Sequence, residues 1–182
     1  MKGRSIAVLA ILLVALASTT SFEARQTGIV TEGGCGCHGG MSSDTVITVD
    51  GLPEVFNASE EYFFTLAISN DNVPIDNPDQ NGGFSIILKG GGVLESVPDI
   101  DGNVAQEMDG GLTHSMDIND RRTWDFKWTA PADDTAIASF LIFGNAVNGN
   151  GAPSGDEWNQ LCLLYTSPSP RDISGSRMPS SA

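Results

Sequence analysis

Thr123-Trp-Asp-Phe-Lys-Trp-Thr129 alternates three aromatic residues with polar ones. Successive side chains of a strand point to opposite faces, so Trp124, Phe126 and Trp128 share one buried face while Asp125 and Lys127 look outward. This stretch therefore predicts a half-buried β-strand. On either side of it lie further short runs rich in β-branched and aromatic residues: Thr45–Val49, Tyr62–Ser69, Gly83–Lys89, Val93–Val97 and Ala136–Val147. Clusters of Gly, Asn, Asp and Pro separate them, and no run has a helical repeat. Short strands at turn-separated intervals, with no helix between them, predict an all-β protein built as an antiparallel β-sandwich. Phe64, Phe84, Trp124, Phe126, Trp128, Phe140 and Phe143 are expected to form its core.

The chain of 182 residues is 40% hydrophobic and 18% charged, which suffices for a folded core. Nine Lys and Arg stand against 23 Asp and Glu, a formal net charge of -14. Such a surface repels phosphate backbones, so no nucleic-acid partner is expected.

Both ends are read as lying outside the domain. Lys2 and Arg4 precede an apolar run from Ile6 to Leu16, followed by the small-residue pattern Ala15-Leu16-Ala17. The run is shorter than the roughly 20 residues a membrane-crossing helix needs, so residues 1–17 read as a secretory signal peptide and the mature chain as extracytoplasmic, secreted or on the cell surface. At the other end, Cys162-Leu-Leu-Tyr-Thr-Ser-Pro-Ser-Pro-Arg-Asp172 and Ser176-Arg-Met-Pro-Ser-Ser-Ala182 resemble translated sequencing-adapter DNA, with three residues between them. Residues 162–182 are therefore expected to be an adapter-derived tail outside the fold, with the natural C-terminus missing. This leaves 18–44 as a flexible, glycine-rich N-terminal segment and 45–161 as the sandwich domain.

Five motifs occur in order: Tyr62-Phe-Phe-Thr-Leu66, Asn81-Gly-Gly-Phe-Ser-Ile86, Leu112-Thr-His-Ser115, Trp124-Asp-Phe-Lys-Trp-Thr-Ala-Pro131, and Asn145-Ala-Val-Asn-Gly-Asn-Gly151 through Ser154-Gly-Asp156. Together, over roughly Cys35 to Asp156, they resemble the reeler-type domain of secreted prokaryotic proteins, in particular the set called choice-of-anchor V. The resemblance implies an extracellular, immunoglobulin-like β-sandwich. It also implies a C-terminal surface anchor, which would be the protein's means of membrane attachment and is not present in this chain.

Soft metal ligands cluster in one place, Cys35-Gly-Cys37-His38, within the glycine-rich stretch Gly33–Gly40. Members of the resembling family often carry Cys-x-x-Cys-His here, the attachment motif of haem c, in which two thiols bond the vinyl groups and the histidine binds the iron. Cys37 and His38 match that motif, whereas Cys35 stands one residue too close. Three alternatives stay open: haem on Cys37 and His38, a Cys35–Cys37 disulfide or free thiols in an oxidising compartment, and zinc. The remaining histidine, His114, would complete a Cys2His2 zinc set with Cys35, Cys37 and His38 if the two loops met. A loop this rich in glycine loses much backbone entropy on ordering, so it is expected either to be tethered near His114 by a metal or haem, or to be disordered.

Asn77-x-Asp79-x-Asn81-Gly82 imitates the start of a calcium-binding EF-hand loop, but its twelfth position is Leu88, where a bidentate Glu is required. Asn57-Ala58-Ser59 is a glycosylation sequon. Gly-x-Ser-x-Gly, a phosphate-binding glycine loop ending in Lys, and His-Glu-x-x-His do not occur, so catalysis is not expected. Two classes of function follow: a non-catalytic surface module for adhesion or interaction with extracellular partners, or a redox protein holding haem or a metal through Cys35–His38.

Overall fold

The computed structural model describes residues 27–108 and 110–167. The expected signal peptide, and the expected tail beyond residue 167, lie outside the described residues. Nine strands follow in order: β1 (Val46–Asp50), β2 (Glu61–Ser69), β3 (Gly82–Lys89), β4 (Val93–Ser96), β5 (Gln106–Met108), β6 (Gly111–Thr113), β7 (Thr123–Thr129), β8 (Ile137–Ala146) and β9 (Glu157–Thr166). They form two antiparallel sheets, one in the order β1-β2-β7-β4 and one in the order β5-β6-β3-β8-β9. The protein is an all-β sandwich.

The inward faces follow the alternation in the sequence. In the four-stranded sheet, β2 and β7 pair Tyr62 with Trp128, Phe64 with Phe126 and Leu66 with Trp124, so aromatic rings meet across the strands on the core side. In the facing sheet, β3 and β8 pair Ile86 with Ile142 and Leu88 with Phe140. Trp128 is the hub: its ring lies 5.4 Å from Phe56, 5.3 Å from Phe140 and 5.9 Å from Tyr165. Gly144 lets the sheets close, because a Cβ there would stand 2.8 Å from Ile68 Cδ1 of the opposite sheet.

Six of the seven expected core aromatics occupy this core; Phe143 does not. It is buried, but on the other face of β8, where its ring packs 6.2 Å from Trp158. The physical reason is that the outer face of this sheet is also covered, by residues preceding β1. Burial on both faces removes the alternation that would have assigned Phe143 outward.

The last strand runs past Leu161, the expected end of the domain. β9 continues to Thr166, pairing Cys162 with Leu141, Leu163 with Phe140 and Tyr165 with Ala138. Leu161, Leu163 and Tyr165 alternate with exposed Gln160, Cys162 and Leu164 and pack against the core. Whatever its origin, Cys162–Thr166 has the period of a strand, and β8 offers it an edge to pair with.

Candidate functional site

The site is built on the outer face of the five-stranded sheet. There β3 and β8 set Gly83 opposite Asn145 and Ser85 opposite Phe143. The bare backbone of Gly83 gives the His114 ring its place: a Cβ on Gly83 would lie 2.6 Å from His114 Cε1. His114 itself follows β6. The Phe84 N–H donates to His114 Nδ1 at 3.1 Å, and Gln106 Nε2 holds the His114 carbonyl at 2.9 Å. Loss of solvation lowers the His114 pKa below the ordinary histidine value; the Phe84 backbone contact opposes this and the nearby His38 adds to it.

Over this floor runs the glycine-rich segment. Gly34 has φ +72°, and a Cβ there would meet the Trp158 ring at 2.7 Å, so only glycine lets the chain lie so close to the indole. Trp158 Nε1 donates to the Gly39 carbonyl at 2.9 Å, the Ser42 N–H donates to the Trp158 carbonyl at 2.8 Å, and Met41 forms a parallel bridge to Trp158. Between these anchors Gly36–His38 makes one 3-10 turn, closed by the His38 N–H on the Cys35 carbonyl at 2.8 Å. The segment is thus seated by contacts within the chain, above all by β9.

His38 completes the seating. Its Nδ1 lies 2.7 Å from Asp156 Oδ2, the two residues being 118 positions apart. The Asp156 side chain is 1% exposed. Its other oxygen, Oδ1, accepts the Asn148 N–H at 2.9 Å, so both carboxylate oxygens are engaged. Asn148 and Asn150 in turn donate from their side-chain amides to the Ser154 carbonyl, bracing the β8–β9 loop that carries Asp156.

Segment and floor enclose a cavity of about 430 Å³ lined by Cys35, Cys37, His38, Ser85, His114 and Asn145, among others. All four candidate ligands from the sequence therefore border one space, within the size range of small-molecule pockets. They do not converge on one point: among the described residues no group of three His, Cys, Asp or Glu side chains is placed to hold a metal ion. Cys35 and Cys37 are free thiols, Cys37 the more exposed. Burial, with Cys37 alongside, pushes the Cys35 thiol up to about 12, which keeps it protonated and unreactive at neutral pH.

Two residues of the floor lie within the sequence motifs but were not singled out there as site residues. Ser85 and Asn145 are each 4% exposed, and among the described residues Ser85 Oγ and Asn145 Oδ1 have no hydrogen-bond partner. Buried polar atoms are almost always paired, so two orphans bordering one cavity mark a place where a bound molecule would supply the partners.

The calcium-like loop has a structural use. Asn77 Oδ1 accepts the N–H groups of Asp79 at 2.8 Å and Gln80 at 3.1 Å, a turn closed by its own side chain.

No family model matches the chain, and no curated protein matches it. Among solved structures it is similar to the lipoprotein from Bacteroides thetaiotaomicron, with TM-score 0.46 and 13% identity over 79% of this chain and 95% of that one. It is also similar to the human F-spondin reeler domain, with TM-score 0.45 and 16% identity over 71% of this chain and 91% of that one. The Reelin-N domain of F-spondin gives TM-score 0.46 and 16% identity over the same shares.

Proposed function

We propose that this protein is an extracytoplasmic β-sandwich module that holds a haem in the cavity beneath its glycine-rich segment, through Cys37 and His38. The observation that carries the reading is the gathering of Cys37, His38 and His114 around one cavity of about 430 Å³. The donor set suits a haem held by the Cys37-His38 pair, since Cys35 stands one residue too close for the two-thiol motif. His38 spends Nδ1 on Asp156, which leaves Nε2 as the nitrogen able to bind iron. His114, neutral by desolvation, offers a second imidazole across the same space. A haem bound there supplies one-electron transfer at its iron. The chain's own part is to orient His38, present the Cys37 thiol and cover the site with Gly33–Gly40. The extracytoplasmic placement rests on the signal-like residues 1–17.

The test is expression with a c-type cytochrome maturation system, followed by absorbance and by the mass of the denatured chain. A Soret band with a mass increase of one haem is expected for wild type and for Cys35→Ala, and loss of the attached mass for Cys37→Ala. A colourless wild type of unaltered mass overturns the reading and leaves the surface-interaction class in its place.

A further inference from the structure

We propose that Asp156 is the positioning residue of His38: its carboxylate holds the His38 proton on Nδ1 and thereby makes Nε2 the free ligand atom facing whatever the cavity binds. The inference rests on the haem reading for the identity of that ligand, but not for the arrangement of the two side chains.

Three observations carry it. Asp156 Oδ2 is 2.7 Å from His38 Nδ1, and an ionised carboxylate can only accept, so His38 is the donor. The acceptor has no freedom to turn away, because Asp156 Oδ1 is held by the Asn148 N–H at 2.9 Å. The carboxylate is also removed from water, with its side chain 1% exposed, and Arg122, itself buried, contributes a favourable positive field to it. A buried carboxylate on the far nitrogen of a ligating histidine fixes the tautomer and the ring, and raises the basicity of the ligating nitrogen. Nothing in the Cys-x-Cys-His motif announces this partner, which arrives from the β8–β9 loop just before β9.

The same geometry dictates what the isosteric amide would do. In Asp156→Asn the oxygen is needed by the Asn148 N–H, which turns the amide NH2 toward His38. His38 Nδ1 must then accept, the ring proton moves to Nε2, and the ligand atom is blocked.

The experiment is nitrogen-15 NMR of the histidine side chains in the ligand-free chain, for wild type and Asp156→Asn at a pH where the rings are neutral. Hemin titration followed by absorbance is run beside it. Wild-type His38 is expected to carry its proton on Nδ1 and the variant on Nε2, with hemin affinity falling about 10- to 100-fold. The same substitution in a His38→Ala background should have no further effect on that affinity, which a merely structural role would not predict. A wild-type His38 protonated on Nε2 overturns the proposal, as does a variant with unchanged tautomer and affinity. If wild type takes up no hemin, the haem reading falls while the tautomers still decide the role of Asp156. If the variant unfolds, the wild-type tautomer decides it.

Discussion

The indole of Trp158 donates its N–H to the carbonyl of Gly39 at 2.9 Å, so a residue of the last strand fastens the glycine-rich segment that precedes the first. The same ring packs on Phe143 and lies under Gly34. Trp158→Phe keeps most of the packing and removes the hydrogen bond. It should cost about 0.5–1.5 kcal/mol, with faster amide exchange confined to residues 33–41. Trp158→Ala should cost more, about 3–5 kcal/mol, and release the whole segment; chemical denaturation and hydrogen exchange measure both.

Gly83→Ala places a methyl group 2.6 Å from His114 Cε1 and 3.0 Å from its Nδ1. The imidazole must move, at a cost of roughly 1–3 kcal/mol for overpacking. The expected result is a changed His114 ring signal in NMR with the His38 signal retained, and a weakened uptake of hemin. An unmoved His114 signal would show that the ring does not rest on β3.

Trp128 is completely buried among Phe56, Tyr62, Phe140 and Tyr165. Trp128→Ala should cost about 3–5 kcal/mol, a large part of the stability of a small domain, and appear as poor secretion and a lowered melting temperature. Phe63→Ala, on the exposed face of β2, should change little, and the pair checks which face is inward.

Truncation after Leu161 removes Leu163 and Tyr165, both half-buried against the core. At about 1.5–3 kcal/mol for a fully buried large side chain, the loss from this pair should be roughly 2–3 kcal/mol. Truncation after Ser167 should leave the melting temperature unchanged. Equal melting of the two shortened chains would show that β9 ends at Leu161 in solution.

Asp99 is held below its ordinary pKa of 3.8 by the Asn103 N–H, with the Asn103 amide, the Asp101 N–H and Arg121 adding to this. A carboxylate whose folded pKa is depressed stabilises the fold fully above its unfolded pKa and loses that contribution as pH falls through the folded one. The difference in melting temperature between wild type and Asp99→Asn should therefore be constant at neutral pH and shrink below pH 3.8. A difference that grows with acid would reverse the assignment.

The alternation of Trp124, Phe126 and Trp128 with Asp125 and Lys127 was enough to place β7, its buried face and the sandwich class, because one face in water and one in the core imprints a period of two. Strands with both faces covered gave no such imprint. In β3, Gly82 through Ile87 are all buried, and in β8 Phe143 and Asn145 are buried outside the core, so the covered outer face was invisible in the sequence. The three-residue strands β5 and β6 are too short to show a period. Cys35, Cys37, His38 and His114 could be singled out as candidates by residue type alone, since thiols and imidazoles are scarce in this chain. Tertiary structure decided that they border one cavity, that Ser85 and Asn145 form its floor, and that Asp156 holds His38. Those relations join residues up to 118 positions apart, and only sheet pairing, which sets β8 between β3 and β9, brings them within hydrogen-bond reach.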